Sequence, residues 1–483
     1  MHAKVRPAAV RDAAEVPTWN DEADVVVVGL GCAGACAAIA AAEAGARVVV
    51  LERASGGGGT SALSGGLVYL GGGTPVQAAC GFEDTPEEMF TFLMAACGPA
   101  ADEAKTRQFC EESVAHFHWL VEHGVPFKAT HYPEPFMEPP TDDCLVYSGG
   151  EDAYPFDRIA RPAPRGHKPQ TPGAAGAFLM QRLLAATERS GARIVCDARA
   201  ETLVVERDGR VVGVVVRHDG VLRCVRARRG VVLAAGGFVR NRDMLLRHSP
   251  LLRRCRYKLG QDGDDGRAIR MAMGAGADVI RMDAGEVAVP IIPPRRLMRG
   301  VLVNAVGQRF VNEDAYPGRI AQECLFRQDG RMWLIVDTAI YERNVHGVEA
   351  THVEETVGEL ERTLGLPPTT LESTVALYNR GAARGEDPLF HKHAGFLQPL
   401  VQPPFAAIDW SVDQALWATF TLGGLHTRPT GAVLDPDGEP VAGLYAAGRT
   451  TSGVAASGYV SGVSLGDGTF FGRAAGRSAA ARS

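Results

Sequence analysis

The pattern of apolar and polar positions divides the chain before any motif is considered. Residues 24–28 (DVVVV) and 47–51 (RVVVL) are short β-branched runs without a turn residue. Runs of this length, apolar on both faces, predict strands buried in a parallel sheet. Between them, residues 35–44 are rich in alanine and stop at Gly45, the composition of a helix with its end marked. Residues 85–124 and 173–189 also read as helices, with Pro86 at a first helical position and acids after it. Residues 193–206, 210–218 and 223–227 alternate like antiparallel strands around Asp208-Gly209 and Asp219-Gly220 turns. Residues 230–235 (GVVLAA) form another apolar run that returns the chain to the first sheet. Residues 260–277 form a Gly/Asp loop leading into a helix. Residues 359–364 and 371–384 are charged helices, and 430–434 and 440–447 are strands around the turn at 435–438. A glycine-rich stretch then enters a last helix.

Texture sets the domain expectation. The segment at 130–170, rich in Pro, Gly and aromatics, reads as an irregular excursion. From 281 to 419 the chain carries more proline, more aromatics and longer polar stretches, then reverts to its earlier style. The expected division is a mobile N-terminal arm at 1–22, a nucleotide-binding domain from 23–280 and 420–483, and an inserted domain at 281–419.

The first strand, helix and second strand frame Gly29, Gly31 and Gly34 as G-x-G-x-x-G, with Glu52 at the end of the second strand. The first glycine permits the sharp turn, the second lets backbone approach a pyrophosphate, and the third lets helix and strand pack closely. Glu52 is placed to accept hydrogen bonds from ribose hydroxyls. The helix N-terminus supplies amide donors for phosphates. Directly after Glu52 comes RASGGGGTSALSGGLVYLGGG, a loop that nicotinamide-only enzymes do not need and flavoproteins wrap around the pyrophosphate and ribityl chain.

Composition excludes more than it selects. A net charge of −6 over 483 residues gives no basic footprint for nucleic acid. No apolar run is long enough for a membrane span, and the first residues show no apolar secretory core. The ten cysteines contain no C-x-x-C pair, so buried free thiols in a reducing cytoplasm are expected, with no metal.

Three segments now stand in one order: the fingerprint with its glycine loop, the central RFVNED (309–314), and the C-terminal GGLHTRPTGAVLD with GLYAAGR. Together they resemble the flavoprotein family of fumarate reductases, succinate dehydrogenases and 3-ketosteroid dehydrogenases, over nearly the whole chain. The resemblance implies an α/β fold: a Rossmann-like FAD-binding domain with an inserted α+β cap (catalytic) domain and the active site between them. It implies FAD contacts from Gly29, Gly31, Cys32, Ala33, Gly34, Glu52, Arg53, Thr60, Ser61, Ser64, Gly65, Gly66, Ala235, Gly236, Asp265, Gly424, Gly448, Arg449, Gly462, Ser464 and Leu465. The stretch GGTSALSGG lacks the His that links FAD covalently in succinate dehydrogenase, so FAD is expected to be non-covalent. No second fingerprint for NAD(P)H follows, so an external electron acceptor is implied.

In the dicarboxylate reductases a proton-donating Arg follows shortly after a motif like Arg309-Phe310…Asn312-Glu313. Here Tyr316 lies about where that Arg is expected, Arg319 comes later, and the C-terminal loop offers Tyr459-Val460-Ser461. A Tyr after N-E-D together with Tyr-x-Ser before the last helix looks like the Δ4-(5α) branch of the 3-ketosteroid dehydrogenases. The Gly-Pro-Gly run of the Δ1 branch is absent. The resemblance thus implies a small apolar, steroid-like ketone as substrate, desaturated at C4–C5. Tyr316, Tyr459 and Ser461 form the proton-abstracting group, since a phenol or hydroxyl suits an apolar pocket better than a solvated carboxylate. Backbone N–H groups near Ser461 and Gly462 are candidates to polarise the ketone. Two rivals remain at this point: reduction of an α,β-unsaturated carboxylate with Arg319 as acid, and an electron-transfer flavoprotein subunit. Arg319 is alternatively a partner for Asp314, His426 is as much a structural as a catalytic candidate, and Tyr69 and Trp417 are candidate pocket walls or core.

Overall fold

The computed structural model describes residues 7–134, 139–291, 294–344 and 348–481. Residues 1–6 of the expected arm, 135–138 of the excursion, 292–293 and 345–347 of the inserted segment and 482–483 at the end lie outside the described residues.

Short β1 (Arg11–Asp12) precedes β2 (Asp21–Val28), α1 (Cys32–Glu43) and β3 (Val48–Leu51). Where a mobile arm is expected, β1 instead pairs in parallel with Val204 and Val205. Strand β2 starts three residues before the apolar run because Asp21 to Ala23 already pair with Val225 to Ala227. Its side chains enter two different cores: Val26 and Val28 one, Val25 and Val27 the other. This two-sided burial is what the unbroken valine run encodes.

The helix expected over 85–124 is three helices, α2 (Pro86–Ala96), α3 (Glu103–Glu111) and α4 (Ser113–Glu122). Gly98 takes φ +83° after α2, and Asp102 restarts the chain by accepting the Lys105 N–H with its carboxylate. After α5 (Gly176–Arg189) come β4 (Arg193–Val195) and β5 (Ala198–Val205), then β6 (Val211–His218) and β7 (Val221–Leu233). Asp197 in the left-handed region (φ +53°) breaks what the pattern reads as one strand. Conversely the two runs at 223–227 and 230–235 fuse into β7, with a register shift between Ala227 and Gly230. Its first half pairs antiparallel with β6. Its second half runs parallel to β2.

The inserted segment contributes β8 (Gly285–Ala288), β9 (Val301–Val303), α6 (Pro317–Arg327), β10 (Trp333–Asp337), β11 (Ala350–Glu354) and β12 (Phe405–Asp409). Strands β9, β10, β12 and β11, in that order, make an antiparallel sheet. Strand β13 (Ala418–Thr421) stitches the parts together, pairing with Tyr257–Lys258 on one side and β8 on the other. The chain then returns to the main sheet through β14 (Ala432–Leu434) and β15 (Pro440–Ala446), which lies parallel to the end of β7, and closes with α7 (Val463–Ala480).

Helix α7 lies against α1, and its glycines are fitted to that contact. A Cβ at Gly472 would overlap the Ala33 carbonyl, and one at Gly476 the Ala37 carbonyl. The first and last segments of the fingerprint domain are therefore locked backbone to backbone. All ten cysteines are unpaired thiols. Among the described residues no helix is long and apolar enough to cross a membrane.

Candidate active site

The turn after β2 builds the first wall of the site. Gly29 takes φ +98°, and a Cβ there would stand 2.5 Å from the Ala234 carbonyl oxygen, so only glycine passes between the two strands. Gly31 caps α1, and a Cβ on it would meet nothing closer than Ser61 Oγ at 3.4 Å; any side chain would grow into the open cleft. Gly34 does not line the cleft. A Cβ on it would overlap the Gly29 carbonyl, so it serves the close packing of helix on turn.

Glu52 is buried and joins the turn to the end of β3. Its carboxylate accepts from Leu30 N–H at 2.8 Å and from Ala54 N–H at 2.9 Å. Each oxygen keeps lone-pair capacity for a ribose hydroxyl. Ser61 Oγ accepts the Cys32 N–H at 3.2 Å, which draws the glycine loop over the start of α1. The Ala33 and Gly34 amides, in the first turn, have no carbonyl four residues back to bond and carry the positive end of the helix.

These residues line one cavity of about 1080 Å³. Every position expected to touch the cofactor lies on its wall except Gly34 and Gly424. Gly424 sits instead in a two-residue strand against Val279–Ile280, where a Cβ would approach the Thr450 carbonyl to 2.6 Å. Asp265, expected as a contact, lines the wall and meets Arg53 at 3.4 Å.

The organising acid is its neighbour Asp264, which the sequence reading missed. Its buried carboxylate accepts from Thr60 Oγ1 at 2.7 Å, Arg449 at 2.9 Å and Gly237 N–H at 3.1 Å. One side chain thus ties the glycine loop, the end of β7 and the C-terminal segment. Two adjacent acids in QDGDDGR are indistinguishable by pattern, and no local signal selects the inner one.

The same cavity receives Tyr316, Tyr459 and Ser461. Tyr316 is the residue before Pro317 at the head of α6 and takes extended backbone there, as a pre-proline residue prefers. Its hydroxyl donates to Glu286 Oε1 at 3.3 Å. The Tyr459 ring stands edge-on to Phe420, with centroids 5.3 Å apart, and its oxygen accepts the Ser464 N–H at 3.4 Å. Burial pushes the Tyr459 phenol up to about 12, the bond from Ser464 offsetting part of the rise. The Ser461 carbonyl is held by the Ser148 hydroxyl at 2.9 Å, and Gly462, at φ +97°, then opens α7.

Glu286 on β8 also lines the cavity and was missed. It is 2% exposed, and burial pushes its carboxyl well above the ordinary range. The signal available was an acid inside the apolar run GEVAV.

The remaining candidates lie outside the wall. Arg319 donates to the Tyr154 carbonyl at 2.7 Å and stands over Phe156, rather than pairing with Asp314 or reaching the cavity. His426 meets Asp278 at 3.3 Å. Tyr69 is wholly buried with its hydroxyl on Glu151, and Trp417 is core with its indole N–H on the Trp410 carbonyl. Among the described residues, no three His, Cys, Asp or Glu are grouped to hold a metal ion.

The glycine cradle, the helix start and the buried carboxylate fit a dinucleotide, and the comparisons define which. The chain is a flavoprotein: it belongs to the FAD binding domain family, whose model matches residues 24–465, and its cofactor is FAD. It is similar to the 3-oxo-5-alpha-steroid 4-dehydrogenase of Comamonas testosteroni, 33% identical over 89% of this chain and 93% of that one. It is 28% identical to a probable fumarate reductase of Shewanella frigidimarina, over 99% of this chain and 81% of that one. Among solved structures it resembles 3-ketosteroid-Δ4-(5α)-dehydrogenase from Rhodococcus jostii RHA1 in complex with 4-androstene-3,17-dione. The identity there is 51% and the TM-score 0.94, covering 99% of this chain and 100% of that one.

Asp264→Ala leaves Thr60, Gly237 and Arg449 without their common acceptor. It is expected to weaken FAD binding by about 1–3 kcal/mol, the scale for orphaning buried partners. The ratio of flavin to protein absorbance after dialysis reads this. Full retention of flavin would show that Asp264 does not hold the cradle together.

Proposed function

We propose that this protein is a FAD-dependent dehydrogenase that introduces the C4–C5 double bond of a 5α-3-ketosteroid. The observation that carries the reading is that Tyr316, Tyr459 and Ser461 all line the FAD cavity, whose wall also carries the apolar surface of Phe420, Ala288 and Leu67. Bound FAD supplies the acceptor for the hydride lost by the substrate.

The protein's own groups handle the proton. A ketone acidifies the hydrogens on its neighbouring carbon. A phenol held near 12 stays protonated at working pH, so Tyr459 serves best as a donor to the ketone oxygen, stabilising charge as it develops there. Its oxygen already accepts from Ser464, which leaves its proton for that purpose. Removal of the C4 proton falls to Ser461 together with Tyr316. We propose that the division at 23–280, 281–419 and 420–483 reflects the FAD domain and its inserted cap, with an external acceptor reoxidising the flavin. The ten free thiols support a reducing, cytoplasmic setting.

The rival reduction of an unsaturated acid assigns the acid role to Arg319. That guanidinium is engaged with Tyr154 and is not on the cavity wall, which weighs against it.

Anaerobic mixing of the purified yellow enzyme with 5α-androstane-3,17-dione tests the proposal. Bleaching of the flavin, with the ultraviolet band of a 4-ene-3-one product, is expected. No bleaching by this or related ketones, with reoxidation of chemically reduced enzyme by an unsaturated acid, would overturn it.

A further inference from the structure

Glu286 is a carboxyl group in an otherwise apolar strand, placed where the proposed reaction has no stated use for it. Its surroundings are built rather than accidental. Strand β8 sets it opposite Phe420 of β13, and its carbonyl is fixed by Thr419 Oγ1. Oε1 accepts from the Tyr316 hydroxyl at 3.3 Å, and Oε2 accepts from Gln322 Nε2 at 3.2 Å. Gln322 follows Tyr316 by six residues, on the half-buried face of α6. Between them Gly318 makes the room: a Cβ there would overlap both the Tyr316 ring and Glu286 Oε1. The carboxyl therefore bridges the cavity-lining Tyr316 at one oxygen and the half-buried Gln322 at the other.

We propose that Glu286 is the positioning residue that receives the substrate's proton by way of Tyr316 and releases it after each turnover. The inference rests on the ketosteroid reading above. In each turnover the C4–H bond breaks and its proton goes to the Ser461–Tyr316 pair. The Tyr316 hydroxyl gives its own proton to Glu286 Oε1, so that the carboxylate becomes a carboxylic acid. The C5 hydrogen leaves as hydride with both bond electrons, for which bound FAD would supply the acceptor, and the C4–C5 double bond forms. Glu286 then returns its proton to solvent, and the sum is one proton and one hydride lost from the ketone.

The direction of the pH dependence follows. Glu286 can accept only as carboxylate, and burial favours its neutral form; the bond from Tyr316 and the Val287 amide offset part of that. Activity must therefore rise with pH through a carboxyl group titrating well above ordinary glutamate. The titratable groups facing it are Tyr316 of α6, Tyr459 of the loop before α7, and the Cys97 and Cys255 thiols, which feel its charge. Burial pushes Tyr459 and both thiols upward, so none of those three supplies an acid limb near neutrality.

The experiment uses the FAD-loaded full chain. The acid limb of kcat/KM for 5α-androstane-3,17-dione is compared in wild type, Glu286→Gln and Gln322→Leu. Glu286→Gln should remove that limb and lower kcat about 10–100-fold, the scale of losing an outer partner of a reacting group, with KM nearly unchanged. Gln322→Leu withdraws a donor from the carboxylate and should move the limb to higher pH, which decides the matter if Glu286→Gln does not fold. A wild-type limb retained in Glu286→Gln, or unmoved in Gln322→Leu, overturns the inference. Infrared difference spectra of wild type against Glu286→Gln read the protonated carboxyl without turnover. A band already lost at ordinary glutamate pH overturns the inference as well. Because this readout needs no substrate, failure of the ketosteroid reading would show separately, as absent bleaching beside a high-titrating carboxyl band.

Discussion

Tyr459→Phe slows flavin reduction by the ketone about 10²–10⁴-fold, the usual contribution of one positioned acid–base or oxyanion group. The substitution is chosen to separate chemistry from packing. Phenylalanine keeps the ring that stands edge-on to Phe420, and it keeps the volume filling this wall of the cavity. What it deletes is the hydroxyl, with its proton for the ketone and its acceptor for the Ser464 amide. FAD occupancy should therefore match wild type, and the loss should appear in kcat more than in KM, as for an interaction made mainly in the transition state. Stopped-flow bleaching at saturating steroid measures it. Tyr316→Phe provides the comparison: it also loses the bond to Glu286, so its deficit should carry the altered acid limb, whereas Tyr459→Phe should keep the wild-type limb and fall uniformly with pH. A Tyr459→Phe variant within a few-fold of wild type would remove this phenol from the reaction and leave ketone polarisation to the backbone.

The parts of this site that were legible in the sequence are those fixed by local chain geometry. A valine run, three glycines, an alanine helix and an acid at the next strand end define their own arrangement, and Glu52 lies where that spacing puts it. The errors occur where a residue answers to a distant segment. Gly424 is a glycine because the backbone of Thr450 presses on it, and a one-dimensional pattern does not separate that need from room for a ligand. The long helix expected at 85–124 has helical spacing throughout, yet Gly98 and Asp102 cut it so that α2 and α3 can fold against each other. Asp197 likewise splits a run whose alternation is unbroken, because β4 follows β3 while β5 follows β6. Asp264 and Glu286 were missed for the converse reason. Their importance comes from partners 30 to more than 200 positions away, Thr60 and Arg449 for one, Tyr316 for the other. The resemblance located Tyr316 and Tyr459, and only folding could show what stands behind them.

Glu313→Ala lowers stability by about 3–5 kcal/mol, the cost of breaking a buried ion pair by removing one partner. Glu313 belongs to RFVNED, the motif that helped mark the family, but it does not line the cavity. Its carboxylate accepts two bonds from Arg309, at 3.0 and 2.8 Å, and one from Leu302 N–H at 2.9 Å, and Lys392 Nζ lies 3.0 Å away. Arg309 also grips Asp387 with two bonds, at 2.9 and 2.8 Å. All four charged side chains are almost wholly buried. Deleting Glu313 leaves the buried Lys392 without its carboxylate and orphans the Leu302 amide, whereas deleting Glu87 from its exposed pair with Arg107 should change stability by no more than about 1 kcal/mol. The sign of the pH effect follows from the carboxyls. Burial raises Glu313, but Arg309 and Lys392 more than offset it and hold it below the ordinary range; Asp387 is likewise held down against its burial by Arg309. Groups with depressed pKa stabilise the fold above their unfolded values, and that stabilisation is lost as pH falls through their folded ones. The gap between wild type and Glu313→Ala should thus be full at neutral pH and close in acid. Urea unfolding followed by tryptophan fluorescence is a direct measure, because Trp333, Trp410 and Trp417 lie in the core cluster that includes Leu302 and Tyr378. A gap below about 1 kcal/mol, or one that widens in acid, would mean that the motif is not the ionic keystone of the cap.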